Sequence, residues 1–241
     1  GATLDVLVEI DVGAGRCGVA PGAPARDLAL RVANAKNLNF RGLQAYHGSA
    51  QHIRDAAERK AAIDGVVARV EGTLDLLGRE GLAAADVTGA GTGSFIYEGT
   101  SGVYTEVQCG SYIFMDNDYA ENKQDDGRPF NSFQHSLFAL VSAISVAKPG
   151  HVVVDAGHKA LGNDQGMPRV LDLPGAVYAR PSDEHGTITL AQVNPRVGLG
   201  QKLRLIPGHC DPTVNLHDWL VVVQHGVVVD LWEITARGAM R

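Results

Sequence analysis

The chain has 241 residues, of which 45% are hydrophobic and 20% charged, with a formal net charge of -6. That is enough apolar material for one large core or two modest ones, and it excludes a disordered tail. The acidic balance argues against nucleic acid or an acidic membrane surface as partner. No apolar run approaches the roughly 20 residues of a membrane helix, and the stretch from Gly1 to Asp11 lacks the basic and apolar regions of a signal peptide. Cys17, Cys109 and Cys210 are odd in number, far apart and without CxxC spacing, as in reduced thiols of a reducing compartment. The expectation is a soluble, cytoplasmic protein.

In chain order, Leu4–Ile10 reads as a buried strand followed by the glycine-rich loop Asp11–Gly18. Pro24–Lys36 has helical spacing in Leu28, Val32 and Ala35. A second strand, Gly42–Tyr46, ends at His47-Gly48-Ser49. From about Asp55 to Arg79, Ile63, Val66, Val67, Val70, Leu74 and Leu77 form the stripe of an amphipathic helix. Val87 marks a third strand, which empties into Gly89-Ala90-Gly91-Thr92-Gly93-Ser94, and a fourth, Glu106–Gln108, runs into Gly110-Ser111-Tyr112. This strand, loop and helix rhythm is that of parallel β/α units, and four of them are half of a (β/α)₈ barrel. Because half a barrel cannot close and the first strand begins within three residues of Gly1, the other half is expected in sequence upstream of this chain.

After about Asn131 the helical spacing stops. Apolar runs at Leu137–Ala147, Val152–Asp155, Val170–Leu173, Thr187–Val193, Leu203–Ile206, Trp219–Gln224 and Val227–Ile234, separated by turn residues, predict an antiparallel β domain, with His225-Gly226 as a hairpin turn. The predicted division is 1–130 for the C-terminal half of the barrel and 131–241 for the β domain. Asn122–Arg128 reads as a linker or mobile loop.

Two kinds of chemistry stand out. The glycine loops around Thr92 and at Gly110-Ser111 follow consecutive strands, and their backbone N–H groups with adjacent hydroxyls suit a single phosphate. Neither is a Walker motif, and there is no GxGxxG, which speaks against a nucleotide. Arg16 and Tyr46 end the two preceding strands, where they suit an aromatic cofactor's ring or, equally, a salt bridge and a core contact. The second feature is Pro207-Gly208-His209-Cys210-Asp211-Pro212. Read as extended chain, it places His209 and Asp211 on one side as metal donors and turns Cys210 away. On the residues alone, a hydrogen-bonded pair shaping a turn, or a thiolate ligand at Cys210, remains open.

The sequence resembles the D-threonine aldolase family, metal-activated pyridoxal-phosphate enzymes of the alanine-racemase-like fold. The resemblance runs along the whole chain, through Val8–Val19, Leu43–Ser49, Gly91–Ser94, Gly110–Asp116, Asp155–Lys159 and Pro207–Thr213. It implies a barrel half that binds pyridoxal 5'-phosphate through Arg16, Tyr46, Thr92, Gly110 and Ser111. It also implies a β domain in which His209 and Asp211 hold a divalent metal, Mn2+ before Mg2+, Co2+ or Zn2+. The implied reaction is retro-aldol cleavage of a D-β-hydroxy-α-amino acid, D-threonine giving glycine and acetaldehyde. The alternatives are a 3-hydroxy-D-aspartate aldolase and a D-serine or 3-hydroxyaspartate dehydratase; dehydratase relatives carry Cys at the second ligand position, so Asp211 favours the aldolase branch. A homodimer is implied. The family anchors its cofactor on a lysine early in the barrel, and Lys36, Lys60, Lys123, Lys148, Lys159 and Lys202 do not match that motif. The chain is therefore expected to be a C-terminal portion, inactive as written, and a non-catalytic scaffold is the reading from a different class.

Overall fold

The computed structural model describes residues 1–191 and 197–239. These form two compact units, one of Gly1–Tyr112 with Glu121–Phe130, the other of Ile113–Ala120 with Asn131–Arg241.

In the first unit, strand β1 (Leu4–Glu9), helix α1 (Ala23–Ala33), β2 (Leu38–Ala45), α2 (Ala56–Arg79), β3 (Asp86–Gly89), α3 (Phe95–Thr100) and β4 (Glu106–Val107) follow in order. The strands make one sheet in the order β1-β2-β3-β4, parallel throughout. Parallel neighbours need crossovers, and the three helices supply them. The long helix starts where the side chain of Asp55 accepts the Ala57 and Glu58 N–H groups at 2.9 and 3.0 Å, as an N-cap should. Its predicted stripe is real: Ile63, Val66, Val70 and Leu77 are fully buried against Val8, Leu43 and Val87 of the sheet. Strands β2 and β3 approach so closely at Gly42 that a Cβ there would lie 1.7 Å from the Asp86 carbonyl oxygen. The predicted linker Asn122–Arg128 is tied down instead. Asn122 is buried, accepts from Arg54 Nη1 at 2.9 Å, and donates to the Gln51 carbonyl at 2.9 Å.

The second unit holds helix α4 (Asn117–Ala120) and the strands β5 (Ala139–Lys148), β6 (His151–Val154), β7 (Arg169–Val170), β8 (Ala176–Pro181), β9 (Gly186–Leu190) and β10 (Lys202–Ile206). They form an antiparallel sheet in the order β7-β10-β5-β6-β9-β8. Its core gathers Val141, Val152, Val154, Ile188, Leu203 and Leu205 around Tyr178, whose hydroxyl donates to the Ala156 carbonyl at 2.8 Å. Burial pushes that phenol up to about 12. Strand β8 has no counterpart among the predicted runs, and Gln192 and Val193 of the predicted run Thr187–Val193 lie outside the described residues.

Helix α5 (Cys210–Asn215) follows β10, and the hairpin β11 (Trp219–Gln224) and β12 (Val227–Glu233) ends the order. His225 and Gly226 both take positive φ, 50° and 79°, the backbone a two-residue hairpin of this twist needs. The fold class expected from the sequence, a parallel β/α part followed by an antiparallel β domain, is the one observed.

Candidate functional site

All five cofactor-side residues singled out in the sequence follow the C-terminal ends of the parallel strands, the edge where α/β sheets place their ligands. Arg16 lies in the loop after β1, which Asp11 folds by accepting the Gly13 and Gly15 N–H groups, each at 3.0 Å. The Arg16 guanidinium stands 5.4 Å from the centroid of the Tyr46 ring, beyond β2, so these two residues come together. Thr92, after β3, is buried, and its hydroxyl oxygen accepts the Tyr112 N–H at 3.0 Å. That bond ties the Gly91–Ser94 loop to the Gly110–Tyr112 loop after β4. As acceptor for that N–H, the Thr92 hydroxyl still has its own proton to donate.

The glycines of these loops do different things. A Cβ on Gly91 would sit 2.6 Å from Gln51 Oε1, whereas a Cβ on Gly110 would meet nothing within 4 Å. Gly91 is small so that the loop can pack; Gly110 faces open space, as a cradle for an approaching ligand requires. The neighbouring Ala90 holds φ at 63°, a left-handed conformation in a fully buried non-glycine residue, of the kind that clusters at ligand sites. Thr92, Gly110 and Ser111 thus fit a phosphate group.

On the second unit, His209 and Asp211 face each other, Nε2 to Oδ2 at 3.1 Å. The reason differs from the one the sequence suggested. The segment is not extended chain: His209 is the N-cap of α5, with φ -138° and ψ 122°, and Asp211 lies in the first turn. The cap-to-turn geometry, not strand alternation, brings the pair together, and it sends Cys210 into the core, buried, with Sγ 3.8 Å from Asp211 Oδ2.

Three supports fix this turn. Asp116, fully buried, accepts the Cys210 N–H at 2.9 Å and the Tyr119 N–H at 2.9 Å. Burial pushes its carboxyl up, while those two N–H groups pull it down. Thr213 donates to the His209 carbonyl at 2.7 Å and accepts the Gly162 N–H at 2.9 Å. Gly208 presses on Gly166, where a Cβ would fall 1.9 Å from the carbonyl oxygen.

Asp164 was not legible as a site residue, yet its Oδ2 lies 2.8 Å from His209 Nδ1. A carboxylate on Nδ1 fixes the ring and its tautomer and leaves Nε2 to face a second partner, an arrangement of the kind that suits a metal-binding histidine. Between Asp211 and Asp164, His209 is raised to about 9, chiefly by its hydrogen bond to Asp211. A proton held between Nε2 and a carboxylate marks a place that favours positive charge. Two donors about 2.1 Å from one cation and at right angles to each other are about 3 Å apart, which matches the 3.1 Å found. The pair fits a divalent metal with further positions left to water or substrate. Among the described residues no group of three or more His, Cys, Asp and Glu side chains converges on one point, because Asp164 addresses the opposite ring nitrogen. Beside the turn an open cleft of about 530 Å3 is lined by His158, Asn163, Asp164, Pro212 and Asn215 among others.

Residues 1–118 match the model of the alanine racemase N-terminal domain, and residues 136–223 that of a putative serine dehydratase domain. The chain is 48% identical over 242 residues to a D-threonine aldolase of an Arthrobacter species, covering 100% of this chain and 63% of that relative. It is 45% identical over 240 residues to a 3-hydroxy-D-aspartate aldolase of Paracoccus denitrificans strain Pd 1222, covering 99% of this chain and 62% of that protein.

The chain is a homologue of the D-threonine and 3-hydroxy-D-aspartate aldolases.

The crystal structure of D-threonine aldolase from Filomicrobium marinum, 46% identical, superimposes with a TM-score of 0.95 over 100% of this chain and 65% of that one. A D-threo-3-hydroxyaspartate dehydratase from Delftia sp. HT23, 24% identical with a TM-score of 0.78, shares the fold. The chain therefore spans a little under two thirds of the length of the relatives it matches. No helix among the described residues is long and apolar enough to cross a membrane.

Proposed function

We propose that the whole protein cleaves D-β-hydroxy-α-amino acids by a retro-aldol reaction, taking D-threonine to glycine and acetaldehyde, with pyridoxal 5'-phosphate and a divalent metal as cofactors. Residues 1–130 serve the cofactor side and residues 131–241 the metal side. The observation that carries the reading is the His209–Asp211 pair at 3.1 Å with Asp164 on the second ring nitrogen. It is a donor set for a hard or borderline cation, with an aspartate where dehydratase relatives are expected to carry a thiolate. When bound, pyridoxal phosphate supplies a sink for the electrons of the Cα–Cβ bond, and a cation supplies positive charge beside the substrate's β-oxygen.

The chain's own residues do the rest. Thr92, Gly110 and Ser111 bind the phosphate with hydroxyl and backbone donors, and Arg16 and Tyr46, already stacked, flank the ring side. His209 is a ligand and not the proton acceptor, since coordination occupies the Nε2 lone pair. Asp211 is the second ligand, and Asp164 holds the imidazole in place. Mn2+ is the proposed metal, with Mg2+, Co2+ and Zn2+ able to take the same donors. We further propose a cytoplasmic homodimer, consistent with three cysteines that remain free thiols.

A second reading, 3-hydroxy-D-aspartate cleavage to glyoxylate and glycine, is favoured by 45% identity over 99% of the chain to an enzyme of that name. Incubating the full-length protein with each substrate tests both. Glycine with acetaldehyde from D-threonine supports the first, glycine with glyoxylate supports the second, and a 2-oxo acid with ammonia and no glycine would refute cleavage.

A further inference from the structure

Behind the Gly91–Ser94 loop lies a line of buried polar side chains that the contacts so far leave unexplained. Gln51 and Ser94 are fully buried and Glu98 is 1% exposed. Donors and acceptors run in one direction along it. Gly93 N–H donates to Gln51 Oε1 at 3.0 Å, Gln51 Nε2 donates to Ser94 Oγ at 2.7 Å, and the Ser94 hydroxyl donates to Glu98 Oε1 at 2.9 Å. The second hydrogen of the Gln51 amide goes to the His47 carbonyl at 3.3 Å. The backbone of Gln51 is held in turn, its carbonyl accepting from Asn122 Nδ2 at 2.9 Å. Within this line of side chains, the second carboxyl oxygen of Glu98, Oε2, is buried with no partner.

Apolar side chains would fill this space at lower desolvation cost, so three consecutive buried polar groups need another reason. Their geometry supplies one. Because Oε1 must receive Gly93 N–H, the Gln51 amide nitrogen is forced toward Ser94, and no flipped amide satisfies both ends. The loop is pressed onto the same residue: a Cβ on Gly93 would lie 2.5 Å from the Gln51 carbonyl oxygen and one on Gly91 2.6 Å from Oε1. The peptide planes on either side of Thr92 are therefore set by Gln51.

We propose that Gln51, braced by Ser94 and Glu98, is the positioning residue for the phosphate cradle, turning the Thr92 hydroxyl and the loop backbone toward the anion without touching it. This rests on the reading of the Thr92 loop as the phosphate site. The role differs from ligation, because Gln51 is sealed from solvent.

The test uses the full-length protein freed of cofactor, titrated with pyridoxal 5'-phosphate and with pyridoxal, which lacks the phosphate. Thr92→Val checks the underlying reading, and should weaken pyridoxal phosphate about tenfold while leaving pyridoxal within about twofold. Gln51→Leu should show the same phosphate-specific loss of about tenfold. Gln51→Glu, which keeps the acceptor for Gly93, should recover most of it. If Thr92→Val discriminates and Gln51→Leu does not, or if Gln51→Leu weakens both ligands equally, the positioning role is wrong and the phosphate reading stands. If Thr92→Val does not discriminate, both fall. Should Gln51→Leu fail to fold, by its melting curve, the smaller change Ser94→Ala decides by the same comparison: a phosphate-specific loss supports the role, and equal affinities overturn it.

Discussion

Removing the Asp164 carboxylate should weaken metal binding without abolishing it. Asp164 Oδ2 meets His209 Nδ1 at 2.8 Å, within the range of a charge-assisted bond. Such bonds contribute about 1.5–3 kcal/mol when shielded. Here the Asp164 side chain is 55% exposed and that of His209 20%, so water replaces part of what is lost. The lower end applies, and Asp164→Ala is expected to raise the dissociation constant for Mn2+ about tenfold, near the minimum usually seen when a partner behind a ligand is removed. Asp164→Asn keeps an acceptor for the ring N–H and should cost about threefold, because only the charge is removed. Calorimetric titration of the metal-stripped full-length protein with Mn2+ reads both values. Affinity unchanged within about twofold in Asp164→Ala would show that Nδ1 needs no partner and refute the orienting role. Binding abolished as completely as in Asp211→Ala would make Asp164 a ligand, which would equally contradict the geometry described.

Three further outcomes follow from other parts of the structure. Burial holds the Glu98 carboxyl above its ordinary range, so its contribution to stability is present below the unfolded value near 4.3 and is lost as pH rises through the folded one. Glu98→Gln should therefore gain stability relative to the parent as pH rises from 4 to 8, and parallel pH profiles in thermal melts would contradict this. Gly208→Ala drives a Cβ to 1.9 Å from the Gly166 carbonyl oxygen, a backbone clash no rotamer relieves, and should destabilise by about 1–3 kcal/mol or more and weaken Mn2+ binding. Gly198→Ala, which meets nothing within 4 Å, is its neutral control in the same melts. Asp55→Ala removes the cap of α2, whose two bonds are solvent-exposed, and should cost about 1 kcal/mol, seen as a melting point lower by about 2–4 °C; no change would mean the cap is dispensable.

Much of this architecture was legible because burial leaves a period in the sequence. Ile63, Val66, Val70 and Leu77 recur at helical spacing and lie on one buried face, and the change of texture near Asn131 accompanies the change from parallel to antiparallel pairing. Short elements were less readable. Strand β8 has six residues, of which only Tyr178 is fully buried, too little for an alternating pattern to stand out. Helix α5 also has six, with Pro212 inside it, so the segment read as extended chain although the proline sits in the first turn, where no hydrogen bond is lost.

The supporting residues were hidden for another reason. Asp116 meets Cys210 across 94 residues, Asp164 meets His209 across 45, and Gln51 meets Ser94 across 43. Local spacing carries no trace of such contacts. His209 and Asp211 stood out because two donors lie two residues apart, and the resemblance to a known family added their expected role. What orients them became visible only once the chain was folded.

The most direct measurement is glycine formation from D-threonine by the full-length protein stripped of metal, before and after Mn2+ is restored, with Asp211→Ala alongside the parent. Cleavage that disappears on stripping, returns with Mn2+ in the parent and stays about 100-fold or more lower in Asp211→Ala is the predicted result. Cleavage that survives stripping, or that Asp211→Ala carries out at the parent's rate, would contradict the assignment of His209 and Asp211 as the metal-holding pair.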